Sequence, residues 1–182
     1  MIGRLPTSLV VAGTEQKIRP DFRDVLVIMQ AFNDQELSPR EKYDVMLTIL
    51  YEEPDGIPPE AIEKALWFLD CGQQETDNPS PVKVMDWEQD ESLVFPAVNK
   101  VAGQEVRNTE YMHWWTFMGY FMEIDDGTFS TVVGIRQKKV KGKKLEKWEQ
   151  EFYRNNRKLC DLRKRYTEEE QAEIDYWNKL LG

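Results

Sequence analysis

His113 is the only histidine in the 182-residue chain, so any Ser-His-Asp or Cys-His relay would have to be built on it. It stands inside an aromatic and methionine-rich run, Tyr111-Met112-His113-Trp114-Trp115-Thr116-Phe117-Met118-Gly119-Tyr120-Phe121-Met122, where a core or helix-start role fits better than proton transfer. A single histidine also excludes a multi-histidine metal site. The two cysteines, Cys71 and Cys160, have neither CxxC nor metal-ligand spacing and read as reduced, buried thiols. Two acidic groups invite a metal reading: Asp86, Glu88, Asp90 and Glu91, and the pair Asp125-Asp126. The first is better explained as charge favourable to a helix N-terminus, the second as a turn closed by Gly127. No Walker spacing and no GxGxxG occurs. These residue types therefore predict no catalysis and no cofactor.

The remaining chemistry is electrostatic. The net charge is −9, but residues 136–165 hold 13 Lys/Arg against 4 Asp/Glu, leaving 11 against 29 elsewhere. Such asymmetry favours docking of one part on another, or head-to-tail self-association, over a free nucleic-acid surface. The acidic majority would repel phosphates at long range, so nucleic acid stays a minor alternative confined to the basic run.

The elements that would position these residues are mostly helical. Residues 5–19 read as a β-hairpin, with Gly13-Thr14 as the two-residue turn. Asp21 caps a helix with Phe22, Val25, Met29 and Phe32 at helical spacing. Ser38-Pro39-Arg40-Glu41 is a capping box leading into Tyr43, Met46, Leu47 and Leu50. A third helix starts at Pro58-Pro59-Glu60, carries Ile62, Leu66 and Leu69, and stops at Gly72. Residues 73–81 lack apolar side chains and read as a linker between an N-terminal part, 1–72, and a C-terminal part, 82–182, although both can belong to one domain. A fourth helix opens at Asp86, with a kink or break expected near Val94 because Pro96 follows.

The aromatic run predicts a central helix from about residue 109 to 125. One stripe would hold Tyr111, Trp115, Met118 and Met122, and its neighbour Trp114, Phe117, Phe121 and Ile124. It is too short to cross a bilayer, which needs about 20 apolar residues. Residues 128–140 fit either strand or helix and are assigned to helix by context. Leu145, Trp148, Phe152, Asn155, Leu159, Leu162 and Tyr166 alternate three and four apart, predicting one long helix with a heptad seam. A last helix opens at Thr167 with Ile174, Trp177 and Leu181 as its buried face. The fold class is mainly α: a helical bundle with a short N-terminal β-hairpin. Lacking a signal segment, the chain reads as cytoplasmic.

The run from Tyr111 to Phe117, the stretch Ile135-Arg-Gln-Lys-Lys-Val-Lys-Gly-Lys-Lys-Leu-Glu-Lys-Trp-Glu149, and the opening Leu5-Pro-Thr-Ser-Leu9 with Ile18-Arg-Pro-Asp-Phe-Arg23 together resemble one known group. This is the gene-product-fifteen family, tail-cluster proteins of siphophages and prophages of Gram-positive bacteria, and the likeness runs from about residue 5 to 151. The resemblance implies a gene next to that of the tape-measure protein, where tail assembly chaperones are encoded, and a site of action in the host bacterial cytoplasm. It carries no catalytic residues. It implies a chaperone-like binder of the tape-measure or tail-tube protein; a minor structural tail component is the alternative. Candidate contact residues are the aromatics Trp114, Phe117, Phe121, Trp148 and Phe152, with core the favoured reading for Trp114 and Phe117. The candidate cations are Arg136, Lys138, Lys139, Lys143 and Lys144.

Overall fold

The computed structural model describes residues 2–73, 83–163 and 165–181. Two strands, β1 (Ser8–Val11) and β2 (Thr14–Lys17), pair antiparallel with Val11 opposite Thr14. The turn falls on Ala12-Gly13, one residue earlier than expected. Both have positive φ, 46° and 81°, which the tight turns matching strand twist demand. Nine α-helices follow among the described residues: α1 (Phe22–Asn33), α2 (Pro39–Leu50), α3 (Glu60–Leu69), α4 (Glu91–Ala102), α5 (Trp114–Met122), α6 (Thr128–Val140), α7 (Lys147–Asn155), α8 (Arg157–Cys160) and α9 (Glu168–Leu181). The mainly helical class with an N-terminal hairpin is thus the observed one.

Capping chemistry starts these helices where the residue types indicate. Asp21 Oδ1 accepts the Arg23 N–H at 2.9 Å to open α1. At α2, Ser38 Oγ accepts from the Glu41 N–H while the Glu41 carboxylate accepts from the Ser38 N–H, so two helix-end donors are satisfied reciprocally. Helix α4 runs unbroken through Pro96, contrary to expectation. Pro96 is exposed, and so is Ser92, whose carbonyl loses the missing N–H and can turn to solvent. Its N-terminus is also later than expected: Asp86 accepts the N–H groups of Glu88 and Gln89 in a turn that precedes the helix.

The main core gathers Leu9 and Val11 of the hairpin, Phe22, Val25 and Ile28 of α1, Met46 and Leu50 of α2, and Ala61, Ala65 and Phe68 of α3. Val94 and Val98 of α4 and Trp114 and Phe117 of α5 complete it. On α3 the inward residues include the small Ala61 and Ala65; Ile62 and Leu66 are only half-buried, because the buried Tyr51 lies close enough to give its hydroxyl to the Ala61 carbonyl at 3.0 Å. One core therefore draws on residues from both sides of the proposed linker. Residues 74–82, which hold most of it, lie outside the described residues.

The N-terminal segment is tied in by isolated bridges instead of further strands. Ile18 pairs with Tyr51 and Asp21 with His113, through Arg19 N–H to Leu50 O at 2.7 Å and Trp114 N–H to Pro20 O at 2.7 Å. The Arg19 guanidinium donates to the carbonyls of Thr48, Ile49, Tyr51 and Glu52, closing the C-terminal end of α2 with a cation.

The single long C-terminal helix is not observed. The chain bends at Asn156 and ends α8 at Cys160. The inward face of this region is Glu149, Phe152, Tyr153, Asn156 and Cys160, while Trp148, Asn155 and Leu159 of the expected seam are exposed. Apolar spacing missed this because a carboxylate holds one inward position: Glu149 is 4 % exposed and pairs with Lys138 at 2.7 Å. A small second core of Val132, Ile135 and Cys160, flanked by Leu145, Phe152 and Tyr153, joins α6 to α7 and α8.

Candidate protein-binding surface

The aromatic helix α5 is shorter than expected, nine residues from Trp114. His113 is its N-cap: Nδ1 accepts the Trp115 N–H at 3.0 Å, so the ring proton is on Nε2, which donates to Pro6 O at 2.9 Å. The ring is therefore neutral, and burial pushes its pKa down, against the opposing effect of the Pro6 bond. This is the helix-start role, with both nitrogens committed. The two indoles that follow cap another helix: Trp114 Nε1 donates to Leu69 O and Trp115 Nε1 to Phe68 O, each at 2.8 Å, satisfying terminal carbonyls of α3. Trp114 (1 % exposed) and Phe117 (0 %) are core, with Phe117 stacked on Phe22 at a centroid distance of 4.6 Å. Tyr111 and Met122, from the other expected stripe, are exposed, so only one side of the run is central.

The other aromatic candidates divide. Phe121 is half-buried against Trp87, centroids 5.0 Å apart, and Phe152 is half-buried in the second core. Trp148 stands out at 55 % exposure. These five side chains do not form one patch: Trp114, Phe117 and Phe121 belong to the main core region, Trp148 and Phe152 to α7.

The basic candidates divide too. Arg136 is buried at 4 % exposure and is no part of a solvated cationic face. Its guanidinium binds the Asp90 carboxylate through both oxygens, at 2.6 and 2.9 Å, and donates to the carbonyls of Val84, Leu159 and Cys160. Lys138 is consumed by Glu149, and Lys139 by Asp161 at 2.6 Å and the Tyr153 hydroxyl at 2.8 Å. Lys143 and Lys144 remain exposed on the turn after α6. Asp86, read as helix-terminal charge, is a buried hub as well: Lys83 and Arg165 reach it at 2.8 and 2.9 Å. Burial raises its pKa, but the Lys83, Gln89 and Arg165 hydrogen bonds outweigh this and hold the carboxyl far below its ordinary range.

No three His, Cys, Asp or Glu side chains converge as metal ligands among the described residues. Burial pushes the Cys71 thiol up to about 11 and raises Cys160 as well, so neither is a thiolate near neutrality. No helix is long and apolar enough to cross a membrane among the described residues.

What the structure does present is an open groove of about 270 Å³ between α1 and α4. Its floor is Phe22, Leu26, Val27, Trp87 and Phe95, and its rim is Arg23, Gln30, Glu88, Glu91 and Arg107. The two arginines lie over groove-wall rings, Arg23 5.0 Å from the centroid of Phe22 and Arg107 4.9 Å from that of Phe95. The sequence carried a signal for it. Val25-Leu26-Val27-Ile28-Met29 is five apolar residues in a row, and a helix can turn only some of them inward, which leaves Val27 48 % exposed.

An aromatic-cored helical protein with an open apolar groove is the class that this geometry defines. The chain belongs to the family described as Bacteriophage Gp15 protein, which matches it over residues 1–162. No curated relative and no solved structure matches it.

Proposed function

We propose that this phage protein is a non-enzymatic tail assembly factor, a chaperone-like binder of the tape-measure or tail-tube protein acting in the host cytoplasm. The observation that carries this reading is the groove between α1 and α4. Apolar floors with polar rims are the receptor half of helix-in-groove recognition, in which an amphipathic helix lays its apolar face against the floor. A tape-measure protein is a long helical polypeptide that must stay soluble until tube subunits surround it. The net charge of −9 would keep such a complex soluble. Release would follow when tube subunits compete for the same apolar helix faces.

The experiment is co-expression of tagged chain with the tape-measure or tail-tube protein of the same phage. Capture of one partner is expected, and Val27→Glu, at a groove-floor position that is 48 % exposed, should abolish it while leaving the circular dichroism spectrum unchanged. Failure of both captures with folded bait would remove the reading. Mass spectrometry of purified particles separates a chaperone, absent from the virion, from a minor structural tail component, which stays in it.

A further inference from the structure

Helix α9 begins with a capping box, the Thr167 N–H to the Glu170 carboxylate at 3.0 Å and the Glu170 N–H to Thr167 Oγ1 at 3.1 Å. Its first residue is held to the body by the Glu168 N–H donating to the Glu36 carboxylate, just after Arg165 anchors the chain on Asp86 and Glu88. Beyond that point α9 makes no hydrogen bond or ion pair to another element among the described residues, and none of its described apolar side chains joins either core. Tyr176 and Trp177 are 60 % and 48 % exposed. A 14-residue helix is marginal in water without a packed face. Its exposed aromatics therefore call for a covering surface that the described residues of this copy do not supply.

Charge names that surface. Helix α9 carries Glu168, Glu169, Glu170, Glu173 and Asp175 against Lys179 alone. The turn that joins α6 to α7 is the reverse: Lys141, Lys143, Lys144 and Lys147 are exposed without an ion pair to any described residue, and Trp148 beside them is exposed too. Each element has an excess of unpaired charge of one sign, interrupted by Lys179 on α9 and Glu146 in the turn, next to an exposed indole. Arg136, Lys138 and Lys139 of α6 each meet a carboxylate of the same chain, which leaves the turn with four exposed cations against Arg154 and Lys158 on α7 and α8.

We propose that α9 of one copy docks on the Lys141–Trp148 turn of a second copy, reciprocally, giving a two-fold dimer. Two-fold closure uses both complementary elements of each chain and leaves no open end for fibre growth. The contact uses none of the residues that line the α1–α4 groove, so its test is separate from that of the tail assembly reading.

The test is the mass of the purified full chain by light scattering and sedimentation across protein concentration and salt. A dimer is expected, loosening as salt rises because its specificity is electrostatic. Two charge-reversed variants at exposed positions outside the capping box decide the contact: Glu169→Lys/Glu173→Lys/Asp175→Lys on α9, and Lys143→Glu/Lys144→Glu on the turn. Each alone should be monomeric, and mixing them should restore the dimer, since reversed helix then meets reversed turn as well as native meeting native. A chain that is monomeric at every concentration overturns the proposal. So does a dimer that survives either reversal, or two monomeric variants that stay apart when mixed.

Discussion

At Arg136, five acceptors converge on one guanidinium: two carboxylate oxygens of Asp90 and three backbone carbonyls, from Val84, Leu159 and Cys160. Removing one partner of a buried ion pair costs far more than the pair is worth, because the other charge is left dry and alone. Arg136→Ala should therefore lower the unfolding free energy by about 3–5 kcal/mol in urea titrations. The double change Asp90→Leu/Arg136→Met should recover only part of this, since the three carbonyls still lose their donor. His113 gives a pH-dependent counterpart. Its folded pKa lies below the unfolded value of about 6.5, so its contribution is present above that pH and is lost as pH falls toward the folded pKa. Urea midpoints should fall between pH 7.5 and 5.5, and His113→Asn, which can still cap, should flatten that slope. Of these two sites, sequence reading placed His113 at a helix start correctly but put Arg136 in a solvated run. Only the fold could bring Asp90, 46 positions away, to its side.

Helix ends were more legible than helix faces. Asp21, Ser38 and Thr167 all cap where their spacing indicated, because capping is decided within four residues. The end of α8 at Cys160 was not visible, because the carbonyls of Leu159 and Cys160 are claimed by Arg136 from another helix. At the end of α3 local and distant terms combine. Gly72 has φ +78°, and a Cβ there would meet the Trp115 ring at 3.0 Å. Gly72→Ala should destabilise by more than the ~1 kcal/mol of an ordinary backbone penalty, because the indole it displaces caps Phe68 O. Thermal melts of Gly72→Ala alone and with Trp115→Ala check this: the second change should remove most of the steric part of the first.

Taken whole, the molecule is a main core built from the hairpin, α1–α5 and Phe129 of α6, a smaller core under α6–α8, and a terminal helix outside both. Chains shortened to end at Thr167 should unfold at the same urea midpoint as the full chain at low protein concentration, because no described apolar side chain of α9 is in either core. The charge asymmetry read from the sequence is real, but much of it is spent inside: Arg136, Lys138 and Lys139 each meet a carboxylate of the same chain. That is why the basic segment as a whole is a poor guide to the outer surface, while the turn within it is a good one. The groove between α1 and α4 followed the same logic in apolar form, visible as one valine too many in α1 and assignable only once α4 lies beside it.

The placement of the tryptophans has an optical consequence. Trp114 is sealed in at 1 % exposure, while Trp148 and Trp177 face water at 55 % and 48 %. In the monomeric charge-reversed variants, iodide or acrylamide should therefore quench Trp148 and Trp177 first, the half-buried Trp67, Trp87 and Trp115 less, and Trp114 least. Replacing the outer pair with phenylalanine would leave a chain whose own fluorescence reports the main core and its groove.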